Sequence, residues 1–133
     1  MIFMRRMRPQ DVASVRALFS GAGAPCPEPE ACVFSFVFED AGKILGAALG
    51  RAAGDEGELC AFFVDPARAG EGLEAGLILC VLDLMDRHGV ACCRCDITEK
   101  TARPHLLSAG FAGGAGSMSA PTRHACSGHA DNR

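Results

Sequence analysis

The sequence predicts one mixed α/β (α+β) domain: a largely antiparallel central sheet of about six strands, flanked by three or four helices, with one parallel strand–helix–strand crossover. Three observations carry this prediction. Two apolar runs flank the turn "EDAG" (residues 39–42), and a third follows "AAGDEGE" (52–58), the pattern of an antiparallel meander with short turns. From Gly72 the apolar period changes from two to 3.6, and a buried strand "VACCRCDI" (90–97) follows; a strand reached through a helical crossover lies parallel to the one before it. With 133 residues the chain has room for a single core.

Taken in order, "IFMRRM" (2–7) alternates and reads as the first strand. Pro9 then stands where a helix can begin without losing a needed hydrogen bond. Val12, Val15, Leu18 and Phe19 share one helical stripe, with Asp11 near the positive end of that helix. "SGAGAPCPEPEA" (20–31) is a Gly/Pro-rich loop with room for one helical turn. "CVFSFVFEDAGKILGAALGR" (32–51) is the first hairpin, Gly42 being free to take positive φ, and "LCAFFV" (59–64) is the third meander strand. Leu73, Leu77, Cys80, Val81 and Leu84 form the stripe of a second helix that Gly89 ends. "TEKTARPHLLSAG" (98–110) reads as a short third helix, with Thr101 as N-cap, Pro104 tolerated in its first turn and Gly110 as its stop. Residues 1–111 make the domain; 112–133 read as a weak final strand near "AGSMS" (115–119) or a flexible tail.

Composition excludes several function classes. A net charge of −3, no Trp and no Tyr give neither the basic face nor the stacking aromatics of a nucleic-acid binder. The longest apolar stretch, "AGLILCVLDLM" (75–85), is short and broken by Asp83, so no membrane span is expected. No signal peptide is read either, and the expected location is cytoplasmic. The eight cysteines are then expected as thiols. Cys92, Cys93 and Cys95 in "CCRC" lack the two-residue gap that aims two sulfurs at one zinc, and read as core packing. His124, Cys126 and His129 in the tail lack a partner pair, so no metal is expected.

"VDPARAGEGLEAGL" (64–77) has the order strand end, glycine loop, helix start, a geometry that holds phosphate. It lacks the Lys-Ser/Thr pair of a P-loop. Gly70, Gly72 and Ala75 satisfy the dinucleotide pattern G-x-G-x-x-A, with Asp96 at a fitting separation. Against that pattern, "DPARA" intervenes between strand and glycines, and the 37 residues after Asp96 cannot complete a doubly wound sheet.

Across residues 2–111 the order of elements, together with "MRPQDVASVRALF", "VDPARAGEG" and "LLSAGF", resembles the GNAT acetyltransferase superfamily. The resemblance implies acetyl-CoA as co-substrate and an amine of a small molecule or a protein as acceptor. It implies that backbone groups near Phe63 and Val64 meet the pantetheine arm. It further implies that the loop and helix start, Arg68, Ala69, Gly70, Glu71, Gly72, Leu73 and Glu74, wrap the pyrophosphate. The family loop, Arg/Gln-x-x-Gly-x-Gly/Ala, aligns on Ala69 to Glu74; Gly72 matches, as do Val64, Pro66 and Leu77 around it. The leading Arg or Gln is Ala69, with Arg68 one residue away, and the closing small residue is Glu74. A carboxylate ~5 Å from a phosphate, at an effective dielectric of about 20, costs roughly 3 kcal/mol before salt and rotation reduce it. Acidic residues in a first helical turn also stabilise it by about 0.3–1 kcal/mol, which gives both glutamates a structural reading. The motif is degenerate, and a weakened affinity for CoA is expected.

Acetyl transfer needs a base for the incoming ammonium and an acid for the leaving thiolate. The tyrosine many family members use as the acid aligns with Leu106, and the family's Asn near the start of that helix falls on Glu99. Glu58 is the candidate base; His105 and Ser108, neighbours on one short helix, are the candidate proton carriers. Two readings follow: an acetyl-CoA-dependent N-acetyltransferase with a modified site, or a GNAT-fold module that has lost transfer chemistry and binds a ligand or partner. Exposed phenylalanines of "VFSFVF" (33–38) are a route to a homodimer.

Overall fold

The computed structural model describes residues 2–97, 99–114 and 116–123. His124, Cys126 and His129 lie outside the described residues. The elements are β1 (Ile2–Arg6), α1 (Val12–Gly21), β2 (Phe36–Asp40), β3 (Lys43–Ala53), β4 (Glu56–Val64), α2 (Leu73–Arg87), β5 (Cys92–Cys95), α3 (Arg103–Ser108) and β6 (Met118–Pro121). Single 3-10 turns stand at Pro9–Asp11, Pro29–Ala31 and Pro66–Arg68. The strands form one sheet in chain order, antiparallel throughout except for the parallel pair β4 and β5. This is the mixed sheet expected from the meander and the crossover.

Ala41 (φ 54) and Gly42 (φ 80) close the β2–β3 hairpin as a two-residue turn between Asp40 and Lys43. Positive φ at both positions matches the strand twist. The next turn is equally tight, so Glu56 and Glu58, expected in a turn, belong to β4. Glu58 stands opposite Arg51, whose Nε donates to its Oε1 at 3.0 Å. One expectation fails at α3: the N-cap is Ala102 and not Thr101. A turn bonding Ala102 N–H to the Glu99 carbonyl precedes the helix and moves its start by one residue.

The sheet separates two apolar layers. Val37, Ala47, Leu49 and Ala61 face α1 with its Val15 and Phe19, while Phe38, Ala48 and Leu59 face α2. Adjacent residues fall into opposite layers because strand side chains alternate. Leu77, Ile78, Val81, Leu82 and Met85 of α2 are fully buried, a wider stripe than the sequence showed. Cys93 and Cys95 are also fully buried, and burial pushes their thiols up to about 12 and about 11. The phenylalanines offered as a dimer surface are turned inward: Phe34 and Phe38 are buried under α2, and Phe36 packs on the same cluster.

Asp11 joins β1 to the start of α1. Its buried carboxylate accepts from Arg5 Nη1 (2.7 Å), Arg5 Nη2 (3.0 Å) and the Arg8 N–H (2.7 Å). The Arg5 hydrogen bonds hold this carboxyl below its usual range. A depressed folded-state value contributes stability that is present above the ordinary carboxylate range and is lost as pH falls through the folded value. Asp11→Asn, which keeps shape but not charge, is therefore expected to cost about 1–2 kcal/mol at neutral pH in urea unfolding. That difference should shrink as the titration is repeated at successively more acid pH.

Candidate active site

β4 and β5 pair only at Gly57 with Cys93 and Glu58 with Arg94, although β4 runs on to Val64. The cause lies in β4. Its register with β3 steps from Leu49 opposite Ala61 to Gly50 opposite Leu59, leaving Cys60 as an extra residue. Such a bulge increases local twist and carries the strand away from its neighbour. Into the gap opens a cavity of about 350 Å³. One wall is β4 from Cys60 to Val64, and the other includes Ile97, Glu99, Ala102 and His105. Glu74 of α2 and Phe19 and Pro25 from the α1 side complete it.

Of the residues expected to hold a cofactor, Phe63, Val64 and Glu74 line this cavity, and Arg68, Ala69, Gly70, Glu71, Gly72 and Leu73 do not. Gly70 (φ 84) and Gly72 (φ 74) carry the chain through left-handed conformations into α2. Gly72 is the N-cap and offers no side chain to the first-turn N–H groups. Before it, the Asp65 carboxylate accepts from Ala67 N–H at 2.9 Å and fixes the Pro66–Arg68 turn. Arg68 is engaged elsewhere: Nη1 donates to Asp40 at 2.8 Å, and Nε and Nη2 donate to Glu71 at 3.1 and 3.2 Å. Its guanidinium lies over the Phe38 ring, 5.1 Å from the centroid.

Glu74 is where the loop and the cavity meet. Its side chain is only 16% exposed, and Oε2 lies 3.7 Å from His105 Nε2. The His105 ring stands edge-on to Phe62, centroids 6.0 Å apart. His105 is the one candidate catalytic residue in the cavity lining; Glu58 is in the β4 ladder beside Arg51, and Ser108 is exposed on α3. Leu106 is fully buried and faces the core. Cys60, Ile97 and Ala102 also line the cavity, and no motif in the sequence marks them. A bulge depends on pairing between strands, and only Phe62, alternating within "LCAFFV", had a local signal.

An acyl-CoA meets a divided site here. The unpaired edge of β4 and the apolar walls fit a pantetheine arm. No Lys or Arg lines the cavity, while Glu74 and Glu99 do, and Arg68 is held by two carboxylates, so the side chains present oppose a diphosphate and only the backbone N–H groups at the start of α2 favour one. Among the described residues no group of three or more His, Cys, Asp or Glu could hold a metal ion. Among them, too, no helix is long and apolar enough to cross a membrane.

A six-stranded, mostly antiparallel sheet that splays at its parallel pair, with a glycine loop feeding the helix behind it, is the GNAT fold, and the chain has that fold. It superposes on the ribosomal-protein-S18-alanine N-acetyltransferase from Escherichia coli with a TM-score of 0.75, at 19% identity over 94% of this chain and 96% of that one. For Ard1 from Thermoplasma volcanium the TM-score is 0.78, at 17% identity over 92% and 99% of the two chains. A GNAT family acetyltransferase from Brucella melitensis, solved in complex with acetyl-CoA, gives 0.69, at 24% identity over 93% and 90%. No protein-family model and no curated protein matches the chain.

Proposed function

We propose that the chain is an acetyl-CoA-dependent N-acetyltransferase with a modified donor site. The observation that carries this reading is the open edge of β4 facing a cavity where β4 and β5 part. An extended pantetheine arm can add to that edge through main-chain hydrogen bonds, with its thioester among Phe62, Phe63 and His105. The free N–H groups at the start of α2 supply the remaining attraction for phosphate. His105 is the proton carrier, since the position of the family tyrosine is the buried Leu106. Glu74 and Glu99 give the cavity a negative wall, which suits a cationic amine as acceptor.

Calorimetric and thermal-unfolding titrations of the full chain with acetyl-CoA and CoA test the donor half. Saturable binding with a rising Tm is expected, worth about 2.7 kcal/mol at a hundredfold excess over Kd. No binding at millimolar ligand by folded protein would overturn the reading. A second reading, a GNAT-fold binding module without transfer chemistry, is favoured by Arg68 being held by Asp40 and Glu71 and by the apolar Leu106. Intact CoA binding with no thiol release across a panel of amines would select it.

A further inference from the structure

Cys60 occupies the bulge of β4, is half-buried, and lines the cavity. Cys32, only 2% exposed, approaches it from the segment before β2, and both pack in the apolar layer beneath α1. Their approach is fixed by short bonds. Ser35 Oγ donates to the Cys32 carbonyl at 2.7 Å and accepts from the Gly50 N–H at 3.2 Å, while Phe34 N–H donates to the Gly50 carbonyl at 2.9 Å. Gly50 stands opposite Leu59, the residue before Cys60. The segment carrying Cys32 is thus clamped onto the strand pair at the bulge, which sets Cys32 and Cys60 in one apolar cluster.

Their proximity divides their chemistry. Facing Cys32 holds the Cys60 thiol below its usual range and raises that of Cys32, and Cys60 Sγ itself donates to the Glu58 carbonyl at 3.7 Å. The nearby Arg51 lowers Cys60 further, against burial and Glu58. Burial pushes Cys26, Cys80, Cys93 and Cys95 upward instead. A thiolate-prone sulfur reachable from a cavity, with a second, buried thiol against it, is the arrangement of an oxidisable cysteine with its resolving partner.

We propose that Cys60 and Cys32 form a redox-active pair, in which a peroxide entering the cavity oxidises Cys60 and Cys32 resolves the product to a disulfide. The Cys60 thiolate attacks one peroxide oxygen and the O–O bond breaks. The departing hydroxide takes a proton and leaves as water, giving the sulfenic acid. Cys32 sulfur then attacks the sulfenic sulfur, the S–O bond breaks, and the Cys32 proton leaves with that oxygen as a second water. Two thiols lose two electrons, and the peroxide is reduced to two waters. The bond ties the segment before β2 to the cavity wall and so couples the cavity's shape to peroxide level. It does not depend on acetyl transfer.

The test uses the full reduced chain treated with hydrogen peroxide, then alkylated and digested without reductant for mass spectrometry. The expected result is a Cys32–Cys60 cross-linked peptide and a fall in denatured thiols from eight to six per chain, reversed by dithiothreitol. In C32S, oxidised Cys60 should persist and be trapped by dimedone; in C60A, Cys32 should stay reduced under the same exposure. Circular dichroism checks that each variant is folded, and the wild-type digest decides the matter without them. A Cys60 oxidised no faster than Cys80, or a disulfide from Cys60 to Cys26 in place of Cys32, would overturn the proposal.

Discussion

Glu74→Gln is expected to tighten CoA binding by roughly ten- to a hundredfold, which is about 1.4–2.7 kcal/mol. Glu74 is the acidic residue of the loop that also lines the cavity, and its side chain is 16% exposed. A carboxylate so placed is screened less than one in open solvent, and it acts on every phosphate docked at the start of α2. Glutamine keeps the length and removes the charge. Glu71 is the internal comparison: it is 46% exposed and already paired with Arg68, so Glu71→Gln should change CoA affinity far less. Pantetheine, which has no diphosphate, should bind wild type and Glu74→Gln alike. Calorimetry with both ligands reads these outcomes, and a Glu74→Gln protein with unaltered CoA affinity would mean that the diphosphate docks away from α2.

What the sequence disclosed and what it withheld divide along the range of the interactions. The β2–β3 hairpin was legible because "EDAG" sets its turn locally, and the structure gives Gly42 the positive φ expected of it. Helix α2 was legible from its stripe and its Gly89 stop, where Val90 N–H bonds back to the Met85 carbonyl at 2.9 Å. The parallel placement of β5 followed from the helical crossover that leads to it. The bulge at Cys60 arises from pairing between β3 and β4, and nothing in "LCAFFV" encodes it alone. Arg68 looked free to reach a phosphate, yet one partner, Asp40, is 28 residues away at the end of β2. Glu74 stood as one of two loop carboxylates; only the fold separates the one facing the cavity from the one facing Arg68. The Cys32–Cys60 contact likewise depends on Ser35 bridging to Gly50, a bond across 15 residues.

The largest loss of stability is expected from Phe38→Ala, about 3–5 kcal/mol in urea unfolding. Phe38 is fully buried at the centre of β2, opposite Met4 on β1 and Gly46 on β3, and belongs to the apolar layer that contains Leu77 and Val81 of α2. Gly46 contributes no side chain to fill the space the ring would leave, so the site can collapse little and the cavity term is expected to be large. Phe38→Leu, which keeps most of the volume, should cost under ~1.5 kcal/mol. The same ring is the floor beneath the Arg68 guanidinium. Arg68→Lys, by contrast, loses only the flat contact and partly exposed ion pairs to Asp40 and Glu71, and should cost under ~1 kcal/mol. If Phe38→Ala cost no more than Arg68→Lys, the loop's charges rather than the packed ring would be what fastens the glycine turn to the sheet.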